Sequence, residues 1–220
     1  MTDPLFFDTD CISAFLWVNN ESILAKLFLG RIIIPKEVYD ELSSPAVNRI
    51  KGLKNQVDYM INNGQATIVS IEVNTKEYML YRKLTAFPDE GKKIIGKGEA
   101  AAISLAKERN GIIASNNLKD IFSYVEEFGL KHYTTGDIMM MALKRGYINE
   151  NQGNIIWKNM ISKRRKLGYL TFSDYIKNHK WFFKLRRVKT LFLFARLIVI
   201  CYLNLVLFII VLHFRWTKIW

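Results

Sequence analysis

Leu5-Phe6-Phe7-Asp8-Thr9-Asp10 is the first patterned stretch of this 220-residue chain: three apolar residues, then an acid, a hydroxyl and a second acid. A short apolar run that stops abruptly on polar residues reads as a buried strand. Working outward, the apolar residues 11–18 have helical potential, and the β-branched Ile32-Ile33-Ile34 reads as a second strand. Pro35 then opens a helix over 36–42, where its missing N–H costs nothing. Further strands are expected at 67–71, 112–114 and 131–133. Helices are expected at 46–61, at 75–84 with Thr75 as cap, and at 99–109, where Ala102, Leu105 and Ala106 form a buried stripe. Others follow at 118–128, at 137–144, at 150–166 capped by Asn149, and beyond Ser173. Strands and helices alternate through residues 1–146, which predicts an α/β fold with a parallel central sheet flanked by helices, plus C-terminal helices. In such sheets ligands bind beyond the carboxyl ends of the strands.

Half of the residues are hydrophobic and 24% are charged, which excludes a disordered or collagen-like chain. Two cysteines, Cys11 and Cys201, make neither a disulfide scaffold nor a zinc site. There is no G-x-G-x-x-G and no Walker A sequence. The formal net charge of +12 is unevenly placed. The last 40 residues hold seven basic side chains and no acid, leaving 25 basic against 20 acidic residues before them. That tail contains Leu191 to Leu212, 22 residues with one charge, Arg196, and one amide, Asn204. About 20 apolar residues span a bilayer core as a helix. A membrane-spanning helix is therefore expected over 190–214, behind a basic helical extension over 147–189. Basic residues crowd its N-terminal flank, which predicts a cytoplasmic body anchored through the C-terminal segment. The competing expectation is that this tail covers a partner or a second copy of the chain.

Several polar residues fall directly after a strand or at a helix start: Asp8 and Asp10, Glu99, and Asn116, Asn117 and Asp120. In a parallel sheet all of them reach one edge. Carboxylates gathered without a basic partner repel one another unless a cation compensates them, and hard oxygen donors suit Mg²⁺ or Mn²⁺. Such an ion polarises a phosphoryl oxygen and lowers the pKa of an attacking water. Each residue also has a plain structural use. Asp8 is able to cap the helix after it, and Glu99 and Asp120 suit the positive end of a helix dipole.

Phe6 to Asp10 resembles the opening strand of PIN-domain proteins, with a first catalytic acid at Asp8 and a hydroxyl at Thr9. Ile34 to Leu42 resembles their second strand and the helix after it. Gly98-Glu99-Ala100-Ala101-Ala102-Ile103 resembles the segment with the central glutamate, and Ile112 to Asn117 the strand that usually ends in aspartate. The resemblance covers about residues 5–146. It implies a Rossmann-like PIN domain and a Mg²⁺- or Mn²⁺-dependent endoribonuclease of toxin type, with RNA as substrate and a cognate antitoxin protein or a second copy as partners. On that resemblance Asp8 and Glu99 would be metal ligands, with Thr9 and Glu41 in support and Asn116 and Asn117 where the family usually has aspartate. Asp120, three residues after Asn117 and on one face with it if both are helical, would be the third metal ligand, with Asn117 the fourth catalytic position and Asp10 and Asn116 in support. Asparagine at 116 and 117 departs from the family, since an amide keeps an oxygen ligand and loses a charge. The alternative is a catalytically degenerate module that binds nucleic acid or a partner at the membrane.

Between Lys144 and Lys189 there are 13 basic residues and two acids, with aromatic residues interleaved. The run Lys163-Arg164-Arg165-Lys166 reads as a nucleic-acid contact, while the basic residues beside the span suit an anionic membrane surface.

Overall fold

A computed structural model describes residues 3–44 and 52–179. The expected span at 190–214 and the start of the helix expected at 46–61 lie outside these residues. Among the described residues no helix is long and apolar enough to cross a membrane. The chain divides into two units, Met1–Ser173 and Asp174–Trp220. Of the second, residues 174–179 are helical, with the Tyr175 ring stacked on His179.

The first unit is built on five parallel strands: β1 (Leu5–Phe7), β2 (Ile32–Pro35), β3 (Ala66–Val69), β4 (Ile112–Ala114) and β5 (Lys131–Tyr133). Their order is β3-β2-β1-β4-β5. Around them run α1 (Thr9–Leu16), α2 (Glu21–Phe28), α3 (Lys36–Ser43), α4 (Leu53–Asn62), α5 (Lys76–Ala86), α6 (Lys97–Glu108), α7 (Leu118–Glu127), α8 (Thr135–Lys144) and α9 (Glu150–Ser162). The predicted parallel α/β architecture is present. The strand order reverses between β1 and β4, where Phe6 pairs with Ile113 and Phe7 with Ala114. In parallel α/β sheets such a reversal is where a ligand crevice is expected, beyond the strand ends. Asp8 follows β1 there, and Ser115-Asn116-Asn117 follows β4.

All three β1 residues are buried, as a central strand covered on both faces requires. Phe6 and Ile113 pack with Ala100, Ala102, Ile103 and Ala106 of α6 and with Ile121 and Tyr124 of α7. The small alanines bring α6 close to the sheet. Leu5 and Phe7 alternate to the opposite face.

Two elements differ from expectation. Helix α2 was not anticipated; it buries Ile23, Leu24, Leu27 and Phe28. Helix α9 stops at Ser162, so the basic run lies after the helix rather than within it. Arg164 takes φ 60°, the left-handed region, and the chain turns there. Gly153 lets this segment close on α9, since a Cβ would stand 2.3 Å from the Phe172 ring. Trp157 packs on the same ring and its indole N–H donates to the Tyr169 carbonyl at 3.0 Å.

Candidate active site

Asp8 caps α1: its Oδ1 accepts from the Cys11 amide at 2.7 Å. Capping uses only one oxygen. The residue is fully buried, and Oδ2 has no hydrogen-bond partner among the described residues. Burial pushes the carboxyl up to about 7, against the pull of the nearby Ser115 hydroxyl and the Cys11 amide, and Asp10 and Glu99 add repulsion. An orphaned buried carboxylate oxygen is costly, and a cap alone does not explain it.

Glu99 lies in the first turn of α6. Its pKa is raised, foremost by burial, with repulsion from Asp120 and Asp10 added; hydrogen bonds to Asn117 and the Gly96 backbone act the other way. Asn117 is the N-cap of α7. Its Nδ2 donates to Glu99 Oε1 at 2.6 Å and to Asp120 Oδ2 at 2.8 Å. The amide thus lies between two carboxylates and ties the start of α7 to the start of α6. The expected proximity of Asn117 and Asp120 is present. It arises from a cap and a first-turn residue rather than from a shared helix face.

The other asparagine is differently employed. Asn116 Nδ2 donates to Thr135 Oγ1, and the Thr135 amide donates back to Asn116 Oδ1, both at 2.9 Å. This two-way clamp fixes the β4 loop to the start of α8. His132 adds a second tie, its Nε2 lying 2.8 Å from the Ser115 carbonyl; burial holds its pKa below the usual value.

Thr9 and Glu41 form a separate brace. The Thr9 hydroxyl donates to Glu41 Oε2, and the Gly98 amide donates to Glu41 Oε1 at 3.1 Å. Three helices, α1, α3 and α6, are joined one residue before Glu99. A Cβ at 98 would stand 2.9 Å from Thr9 Oγ1 and 3.0 Å from Glu41 Oε2, so a side chain there would push the brace aside. Asp10 is exposed at the rim, 3.7 Å from Arg165 Nη1. Lys163, Arg164 and Lys166 are exposed. Sequence reasoning missed Ser115, Thr135 and Gly98 as site neighbours. Ser115 carried one signal, its place directly after β4.

Among the described residues no group of three His, Cys, Asp or Glu is arranged to hold a metal ion. Mg²⁺, however, needs only one or two carboxylates beside waters and substrate phosphates. The orphaned Asp8 oxygen and the acidic oxygens of Glu99 and Asp120 are hard donors that fit such an ion.

Comparison with known proteins adds the lineage. A solved structure of VapBC2 from Rickettsia felis, bound to a DNA fragment from their promoter, is similar at 21% identity. The match covers 59% of this chain and 97% of that one, with a TM-score of 0.42. No curated protein matches significantly. The family model described as a PIN domain (DUF3368) matches residues 5–177. That match takes in most of the chain, which belongs to the PIN-domain family.

Proposed function

We propose that this protein is a metal-dependent endoribonuclease of toxin type, hydrolysing RNA phosphodiester bonds at the crevice between β1 and β4. The observation that carries the reading is the Asp8 carboxylate, fully buried with one oxygen orphaned, with Glu99 close enough to raise its pKa. Asp8 and Glu99 would hold Mg²⁺ or Mn²⁺, with Asp120 adjoining. When bound, the ion supplies charge neutralisation and a water of lowered pKa. The chain's own residues do the rest. Burial around Asp8 keeps bulk water from its carboxylate. The Thr9–Glu41–Gly98 brace holds the first turn of α6, and with it Glu99, in place. Asn117 orients Glu99 and Asp120 toward each other, and the Asn116–Thr135 clamp fixes the loop that presents Asn117.

A second reading rests on the same Asn117. Its amide already satisfies Glu99 and Asp120, which favours a module that holds nucleic acid or a partner without cutting it. Incubation of mixed RNA with the full-length protein and millimolar Mn²⁺ separates the two. Cleavage by the wild type, lost in Asp8→Asn and Glu99→Gln, supports the nuclease. RNA retention without cleavage supports the module. A cognate antitoxin covering the acidic crevice belongs to the toxin reading. The charge flanking 190–214 supports anchoring of a cytoplasmic body to the membrane.

A further inference from the structure

We propose that Arg165, alone among the four basic residues 163–166, seats a phosphate of the RNA strand at the rim of the acidic crevice. The inference rests on the reading of that crevice as an RNA-cleaving site. After α9 the left-handed turn at Arg164 sends the chain back toward α1. There Arg165 Nη1 donates to Ser13 Oγ at 3.2 Å and stands 3.7 Å from Asp10 Oδ1. Its Nε donates to the Lys163 carbonyl at 3.2 Å, and its guanidinium lies over the Trp17 ring, 5.9 Å from the centroid. A guanidinium held through two of its nitrogens and against an aromatic face is preorganised. Its neighbours in the run are exposed.

The electrostatics give the placement a purpose. Asp10 and Glu99 raise the pKa of Asp8, and Asp120 and Asp10 raise that of Glu99. A phosphodiester approaching this group meets like charge. Among the described residues Arg165 is the basic side chain ion-paired with one of these four acids. The pair is loose, because Asp10 is 62% exposed and 3.7 Å away, so a phosphate is able to displace it. Among the described residues its hydrogen bonds run through Nε and Nη1, and Nη2 has no partner there. A guanidinium offers two parallel N–H groups to a phosphate, and the Trp17 face and Ser13 hydroxyl keep its plane fixed while it does so. Asp10 then serves as the resting partner of Arg165, and the phosphate as the working one.

The test is binding of a fluorescently labelled single-stranded RNA of about twelve nucleotides, a length that spans one ordinary single-strand site. Anisotropy is read with the full-length protein in mild detergent and EDTA, across a series of salt concentrations. One lost phosphate contact lowers the slope of log affinity against log salt by about 0.7 for a single strand. Arg165→Gln is expected to lose that much slope and about tenfold in affinity at moderate salt. Arg165→Lys restores the slope, because the charge returns. Lys163→Gln, which removes the same charge from an exposed neighbour, loses less than half as much. Equal losses in Arg165→Gln and Lys163→Gln, or no loss in Arg165→Gln, overturn the proposal while RNA binding itself stands. Should Arg165→Gln melt well below its parent, the lysine variant decides: a folded Arg165→Lys without the restored slope overturns it. A wild type that binds no RNA, in EDTA and with calcium, removes RNA as substrate and the phosphate seat with it.

Discussion

Asp8→Asn is expected to stabilise the metal-free protein at alkaline pH while abolishing its response to divalent ions. The Asp8 carboxyl stands at about 7 in the folded protein against an ordinary value of 3.8. Protonation therefore favours the folded state. The contribution is present in full below 3.8, declines as pH rises, and is lost by about 7. The whole shift corresponds to about 4 kcal/mol. Asparagine keeps the cap, since its Oδ1 still accepts from the Cys11 amide. It also places an NH₂ group where Oδ2 is orphaned, at a cost of about 1–2 kcal/mol. The net gain at pH 8.5 is then about 2–3 kcal/mol. For a chain of this size that raises Tm by roughly 5–10 °C. At pH 5 only about a third of the shift has developed, about 1.6 kcal/mol, which the amide cost cancels. The assay is thermal unfolding followed by circular dichroism in EDTA at the two pH values. A Tm difference between variant and wild type that is the same at both would refute the burial argument. Added Mn²⁺ should raise the wild-type Tm at pH 8.5 and leave the variant unmoved.

Three other substitutions separate the roles of the site's neighbours. Asn117→Asp removes the amide that bridges Glu99 and Asp120, so the metal-free protein should lose about 1–3 kcal/mol by thermal unfolding while Mn²⁺ binds at least about tenfold more tightly by calorimetry. Asn116→Ala breaks the two-way clamp to Thr135, and a similar loss of stability of about 1–3 kcal/mol should come with Mn²⁺ affinity changed less than about threefold. Gly98→Ala drives a Cβ against Thr9 and Glu41; denaturant unfolding should register about 1–3 kcal/mol of overpacking, and Mn²⁺ affinity should fall because Glu99 is the next residue.

The legible parts of the fold were those where local pattern and tertiary demand coincide. Leu5 to Phe7 is an uninterrupted apolar run because the strand is covered on both faces, and the acid that ends it has to stand at the carboxyl edge. Glu99 was readable for the same reason, at the start of an alanine-rich helix whose small side chains announce close packing. Helix α2 carried no such announcement: it is eight residues long, and Asn20 ahead of it makes no side-chain cap. Asn116 and Asn117 are identical in sequence terms. Only the fold turns one toward Thr135 and the other toward Glu99 and Asp120. The basic run fell inside the helix expected over 150–166 because charge patterning has no mark for a left-handed residue at Arg164, and that one dihedral delivers Arg165 to Asp10. The brace of Thr9, Glu41 and Gly98 joins segments too far apart in sequence for any local pattern to link them.

The central claim is that Asp8 and Glu99 together form one divalent-ion site. Titration calorimetry of Mn²⁺ into the full-length protein at pH 8, with Asp8→Asn and Glu99→Gln beside it, tests it most directly. The account predicts binding at one site in the wild type and none in either variant. Wild-type heats that persist unchanged in either variant, or their absence at millimolar metal, would contradict it.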